Sequence, residues 1–438
     1  MSQDWIASFE ALKSIYSEGA YSNMALNEAI PHHPGCRDSF VRSMVKGTLR
    51  HTVTLDYIIG KLADNGLRGI RLRTLIILRM GLYALREMDS VPDHAAVNEA
   101  VSLARKTAKG TDKFINAILR SYIRSRDIYE IPEECDRQDP VFLRDIEDDL
   151  ERLSVRYSFH VDIIRLICSQ YGDQAEKILE GLNTPPPVIL RVNTLKTSRD
   201  ELIGSLKKEG IKAETLSGSE LAVSAEGSGI IGSDLFRKGH YSVQSLSSMM
   251  AVEALAPARG STVLDMCAAP GGKSTMMAEI MGNTGSITAC DIHEHRLKLI
   301  KAYAERIGTD IIETRLLDAT RFNSKMEGRF DFVLADVPCS GLGVMSTKPE
   351  IGLRADMESI KKLPELQISI LSNAVRYAKP GGRICYSTCT LNKHENEEVI
   401  TALASADPTF GRIVEMNTIL PYNNTIGFYY CIIEKSVR

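Results

Sequence analysis

The chain of 438 residues lacks an apolar run long enough to cross a membrane. The run Leu75-Ile76-Ile77-Leu78 meets Arg79 well before the roughly 20 residues a span requires. It lacks a CxxC pair, and its nine cysteines are an odd number scattered along the chain. That excludes a disulfide framework and predicts thiols in a reducing compartment. An excess of charge of one sign is also missing: the net charge is -3, so no global basicity announces a nucleic acid, and any polyanion site must come from local clustering. The opening Met1-Ser2-Gln3-Asp4-Trp5 has neither a basic region nor an apolar block, which excludes a secretory signal there and predicts a cytoplasmic protein. What is present, 44% hydrophobic and 25% charged residues with a mean hydropathy of -0.11, is ordinary globular composition, and the length predicts about three domains.

Residues 1 to 135 carry apolar positions at three- and four-residue spacing with few strand-like runs, predicting an all-helical domain. Within it, residues 72–85 are apolar nearly all round and predict a buried helix. Arg68, Arg71, Arg73, Arg79 and Arg86 punctuate this region, and Arg105, Lys106, Lys109, Lys113 and Arg120 follow. This local positive bias suits phosphates, although any one of these residues could equally belong to a solvated helix face. An acidic, proline-containing stretch over 131–149 predicts a linker. Residues 136–240 then combine helical spacing up to Pro185-Pro186-Pro187, an alternating strand at 188–193 and a helix from Ser198 to about Gly210, predicting linker plus a small α+β domain. Over 241–438, strands alternate with helices, which predicts a doubly wound, Rossmann-like α/β domain whose ligands bind beyond the carboxyl ends of the strands. Four predicted strand ends carry Asp265, Asp291, Asp318 and Asp336, and two weaker strands near 411–416 and 428–433 are expected to close the sheet as an antiparallel pair.

The run Cys267-Ala268-Ala269-Pro270-Gly271-Gly272-Lys273-Ser274 joins a strand to a helix. A P-loop would need glycine where Cys267 stands, and the dinucleotide pattern GxGxxG is absent from this turn. What remains is a turn that a ligand can approach closely, with a helix amino terminus and the Lys273 ammonium suited to a small anion such as a carboxylate. Asp291 at the next strand end suits a ribose diol, and Asp318 an adenine amino group. A single aspartate would ordinarily be a helix cap or a surface acid. The series points to a ligand with adenosine and amino-acid parts, S-adenosyl-L-methionine.

Cys339, in Asp336-Val337-Pro338-Cys339-Ser340-Gly341, and Cys389, in Ser387-Thr388-Cys389-Thr390, follow the fourth and fifth strands and are expected to face one crevice. Cys290 and Cys385, inside their strands, read as small buried hydrophobes. His293, His295 and His394 read as surface residues, and the spacing shows no metal site. Two thiols beside an acid suit one difficult reaction. Carbon 5 of cytosine is too weakly nucleophilic to take a methyl group from a sulfonium until a thiolate adds at carbon 6. Asp336 is placed to protonate ring nitrogen 3, and a second cysteine can help the carbon 5 proton leave.

The segments 265–274, 336–341 and 387–391 resemble motifs I, IV and VI of RNA 5-methylcytosine methyltransferases. The resemblance implies Cys389 as the attacking nucleophile, Cys339 as the releasing cysteine, and Cys267 to Lys273, Asp291, Asp318 and Asp336 around the cofactor. Towards the amino terminus, residues 77–83, Pro92, Val97-Asn98-Glu99-Ala100 and Phe114-Ile115-Asn116-Ala117-Ile118-Leu119 resemble the NusB RNA-binding fold. That pairing is the layout of the RsmB/Sun-type bacterial small-subunit ribosomal RNA (cytosine-C5) methyltransferases. It implies 16S ribosomal RNA as partner; the short apolar runs predict no membrane, and with no oligomer indicated a monomer is expected. Arg191-Val192-Asn193-Thr194 matches the small domain that precedes this family's catalytic domain and is thought to touch RNA. Val337 stands where the family often has a second proline, Ser245 where an acid commonly follows the glutamine, and 423–428 lacks the usual histidine and acid. Three other readings compete: a non-catalytic RNA-binding factor on a methyltransferase scaffold, a cytosine methyltransferase for another RNA, and an adenine amino-group methyltransferase. The last needs an aromatic residue where Cys339 stands.

Overall fold

The computed structural model describes residues 2–129, 141–227, 229–354 and 356–437, and the chain divides into two compact units. The first unit takes in residues up to Asn183 together with Met345–Ala355. It is helical as predicted, and Leu72–Glu87 is its central helix, with every side chain from Ile76 to Leu85 buried. Arg79 belongs to that buried run. Its guanidinium grips Asp56 through two bonds of 2.7 and 2.6 Å and lies over the Tyr16 ring, so it is not available to a phosphate.

The predicted linker is in part core. Residues 130–140 fall outside the described residues, but Phe142, Leu143 and Ile146 are buried with the helices, and Asp148 caps the helix Asp149–Tyr157. Burying three large apolar side chains, worth roughly 1.5–3 kcal/mol each, outweighs the self-repulsion of the surrounding acids. The helical unit therefore continues to Asn183, past the limit of about 135 expected from the sequence. Pro349–Leu353 docks on the same unit: Glu350 accepts from Ser22 N and Oγ, and Arg354 donates to Ile15 O at 2.6 Å.

In the second unit, strands β1 (Val188–Val192), β2 (Lys212–Thr215), β3 (Ala222–Glu226) and β4 (Tyr241–Val243) form an antiparallel sheet in the order β2-β3-β1-β4. The expected helix at Ser198 is there, closed by a reciprocal Ser198–Glu201 cap. A seven-stranded sheet follows, built from β5 (Thr262–Asp265), β6 (Ser286–Asp291), β7 (Ile312–Leu316), β8 (Phe330–Asp336), β9 (Ala378–Thr388), β10 (Arg412–Ile419) and β11 (Phe428–Glu434). Its order is β10-β11-β9-β8-β5-β6-β7. β5 to β9 run parallel, and β10 and β11 form the expected antiparallel pair. Successive residues feed opposite faces. Leu264, Val333, Ile384 and Tyr386 pack with the helices Met357–Tyr377 and Glu397–Ala406, while Val263, Leu334, Cys385 and Ile432 pack with Leu246–Leu255 and Gly272–Ile280. Chain direction across the sheet reverses between β5 and β8, so a crevice opens at the carboxyl ends of those two strands.

Candidate active site

β5, β6 and β8 end at Asp265, Asp291 and Asp336, and Asp318 lies two residues beyond β7. Two cavities open at these ends. One of about 360 Å³ is lined by Asp291, Asp318, Asp336 and Cys267, with Ile292, Leu366 and Ile370 supplying apolar walls. The other, of about 200 Å³, is lined by Asp265, Lys273, Asp336, Gln244 and the Cys267–Pro270 turn. Asp336 and Cys267 border both. The sequence did not signal Leu366 and Ile370, because apolar residues four apart on a helix look like any packed face.

The turn between β5 and the helix Gly272–Ile280 is built as its glycines require. Gly271 has φ +112°, and a Cβ there would stand 3.3 Å from Ile300 Cα and from the Tyr303 ring. Ala268 N donates to Cys290 O at 2.7 Å, tying the turn to β6. Beneath the turn, Arg191 of β1 is fully buried. It donates to Gly272 O at 2.6 Å, to Thr275 Oγ1 at 3.1 Å and to Glu279 Oε1 at 2.7 Å, and also to Gln244 Oε1. Arg191 and Asn193 therefore face inward rather than toward RNA, and Arg191 braces the cofactor turn from behind.

Lys273 Nζ donates to Asp336 Oδ2 at 2.7 Å, and Ser387 Oγ to Asp336 Oδ1 at 2.7 Å. The ammonium expected to meet a ligand carboxylate thus already holds one from the protein. Burial draws the Lys273 pKa down, but Asp336 and Asp265 together outweigh it and leave it above the ordinary value. Asp265 is buried: Ser274 Oγ donates to Oδ2 at 2.6 Å, and Oδ1 makes no well-formed hydrogen bond. Burial, aided by the Asp336 charge, pushes its carboxyl up to about 7 against the Ser274 bond. Asp318 accepts from Thr320 N and Oγ1, which hold its carboxyl below the usual range, and Asp291 accepts from His293 N at 2.9 Å. When Asp265 ionises, two carboxylates face one ammonium and the cavity favours a cationic guest, with Asp265 Oδ1, which makes no well-formed hydrogen bond, able to accept from it. An amino acid's ammonium beside a sulfonium meets both conditions.

The Cys339 and Cys389 sulfurs lie 3.2 Å apart with no disulfide between them, and Cys389 N donates to Cys339 Sγ at 3.3 Å. The Cys389 contact, together with burial, pushes the Cys339 thiol far up. Lys273 is in electrostatic reach of Cys389. Val337 N donates to Ser387 O at 3.0 Å, a bond that a proline at this position could not make and that carries the β8–β9 ladder into the Cys339 loop. Cys290 and Cys385 are buried strand residues, and His293, His295 and His394 are exposed, as the sequence predicts. Sequence reasoning missed Ser387, Asp265 as a site residue, and the Glu395–Asn396 pair described below.

Three family models match the chain: the NusB family over residues 5–124, an RsmF/B-like ferredoxin-like domain over 163–228, and 16S rRNA methyltransferase RsmB/F over 252–430. A probable ribosomal RNA small subunit methyltransferase B from Bacillus subtilis is 35% identical, over 97% of each chain. A 28S rRNA (cytosine(4447)-C(5))-methyltransferase from Homo sapiens is 38% identical over 51% of this chain and 28% of its own. The crystal structure of PH0851 covers 99% of each chain at 26% identity, with a TM-score of 0.81.

Proposed function

Because the chain belongs to the ribosomal RNA small subunit methyltransferase B family, we propose that it methylates carbon 5 of a cytosine in small-subunit (16S) ribosomal RNA through a covalent bond from Cys389 to carbon 6. The observation that carries this reading is the pair of sulfurs 3.2 Å apart on the loops that follow β8 and β9, strands whose ends are joined by the Ser387–Asp336 hydrogen bond, with Asp336 bordering the cavities at the strand ends.

Asp336, held as a carboxylate by Lys273 at rest, first takes up a proton and then passes it to ring nitrogen 3 as the Cys389 thiolate adds to carbon 6 of the flipped-out base. Electron density thereby gathers at carbon 5. Lys273 and Ser387 then stabilise the Asp336 carboxylate that remains. Bound S-adenosyl-L-methionine supplies an electrophilic methyl group to that carbon. Once Cys389 is bonded to carbon 6, the Cys339 thiol yields its proton to solvent and, as a thiolate, takes the carbon 5 proton; the carbon 5–carbon 6 double bond re-forms, Cys389 leaves as thiolate and nitrogen 3 returns its proton to Asp336. For the cofactor, Cys267 to Lys273 and Asp265 hold the amino-acid end, Asp291 the ribose diol, and Asp318 with Leu366 and Ile370 the adenine. A cytoplasmic site of action follows from the RNA substrate.

The helical domain contributes RNA affinity. Lys13, Arg71, Arg73, Lys106 and Lys109 line a single cleft of about 670 Å³ with no acidic residue in its wall, which suits a phosphodiester backbone. The test is methyl transfer from labelled cofactor to unmodified small-subunit ribosomal RNA, with the product position mapped. The expected product is 5-methylcytosine at one position, absent with Cys389→Ala. Full turnover by Cys389→Ala, or a methyl group on an exocyclic nitrogen, would refute the reading.

A further inference from the structure

The loops that carry the two thiols are joined behind the sulfurs by adjacent residues that no motif in the sequence marked. Glu395 and Asn396 are both fully buried. The Glu395 carboxylate accepts from Ser340 N at 2.8 Å and Ser340 Oγ at 2.5 Å on the Cys339 side, and from Asn392 Nδ2 at 3.0 Å on the Cys389 side. Gln367 Nε2 donates both to that carboxylate, at 3.1 Å, and to Pro338 O, at 3.0 Å, closing the network around Cys339. Asn396 straddles the other thiol: its Oδ1 accepts from Thr388 Oγ1 at 2.6 Å and its Nδ2 donates to Thr390 O at 3.0 Å.

A buried carboxylate costs several kcal/mol unless its lone pairs are filled, and here uncharged groups fill them: Ser340 and Asn392 from the two reactive loops and Gln367 from the helix Met357–Tyr377. If the site needed only a packed turn, a neutral side chain would be cheaper. We propose that Glu395 and Asn396 are positioning residues for the methyl transfer described above, fixing the spacing of Cys339 and Cys389 across the cytosine ring, with Glu395 on the releasing thiol and Asn396 on the attacking one. This rests on the function proposed above. The negative charge of Glu395 also works with the Cys389 contact to keep the Cys339 proton in place, a second consequence of the same placement.

The test compares wild type, Glu395→Gln, Asn396→Ala and Ser340→Ala for kcat and KM on a small-subunit ribosomal RNA transcript, the pH profile of kcat, calorimetric affinity for S-adenosyl-L-methionine, and melting temperature. Glu395→Gln is expected to lower kcat at least tenfold with cofactor affinity within twofold of wild type. It should also move the rising limb of the kcat profile to lower pH, because removing the charge lets Cys339 ionise earlier. Asn396→Ala should lower kcat without moving that limb. Ser340→Ala, which keeps the backbone donor, should lose kcat several-fold, and it decides the matter should Glu395→Gln fail to fold. Wild-type kcat in these variants overturns the proposal, and so does a loss that comes only with weakened cofactor binding or lowered melting temperature and an unmoved limb. A wild-type protein that binds cofactor and RNA yet transfers no methyl group would instead overturn the function proposed above.

Discussion

Asp265 shows how one buried side chain can link proton and ligand. Its carboxyl is pushed up to about 7, against an ordinary aspartate value near 4, so the folded protein keeps a proton that the unfolded chain releases. The contribution of this group to stability is therefore fully present below about pH 4 and is lost as pH rises to about 7. The melting temperature of the cofactor-free protein should carry that slope, and Asp265→Asn should flatten it. If Asp265 meets the cofactor's ammonium as a carboxylate, wild-type affinity for S-adenosyl-L-methionine should rise about tenfold from pH 6 to 8, and the Asn variant should show no such rise. Titration calorimetry at several pH values checks both, and an equal rise in the variant would contradict the assignment. The strand-end aspartates and both cysteines were visible in the sequence, because each closes an apolar run. Which aspartate stays unpaired was not, because it depends on Lys273 turning to Asp336 rather than to a ligand.

Between elements, the telling contact is the one from β1 to the helix Gly272–Ile280. Arg191 and Glu279 form an ion pair with both side chains fully buried. Removing one partner leaves an unpaired buried charge, so Arg191→Met should cost about 3–5 kcal/mol and weaken cofactor binding by loosening Gly272. The double variant Arg191→Met with Glu279→Leu should recover much of the stability, because no charge is left stranded. Chemical denaturation of the four proteins closes the cycle, and additive losses would mean that the two side chains act independently. The strand at 188–193 and the helix at Ser198 were legible from alternation and capping, whereas the inward direction of Arg191 was hidden. An arginine on a strand is normally expected to reach solvent, and its partner lies 88 residues further along the chain. The acidic stretch before the helix Asp149–Tyr157 misled for the opposite reason: its charges are conspicuous, while Phe142, Leu143 and Ile146 do the packing.

For the whole molecule, the sequence foretold a helical part, a small α+β part and a doubly wound sheet, because hydrophobic period changes along the chain. It could not foretell that Met345–Ala355 leaves the α/β unit to join the helical one, since such a return has no local signature. RNA affinity should be divisible on the same lines. Lys106→Glu with Lys109→Glu, both exposed in the basic cleft, should weaken ribosomal RNA binding at least tenfold and reduce its salt dependence by about two counterions, while cofactor affinity stays unchanged. Filter binding across a salt series checks this, and an unchanged slope would exclude the cleft from the interface.

The most direct measurement concerns the division of labour between the two thiols. Cys339→Ser protein, incubated with small-subunit ribosomal RNA and S-adenosyl-L-methionine, denatured and analysed by mass spectrometry, should contain a stable protein-RNA adduct at Cys389 that carries one extra methyl group. An adduct at any other residue, or rapid turnover with none, would contradict the account.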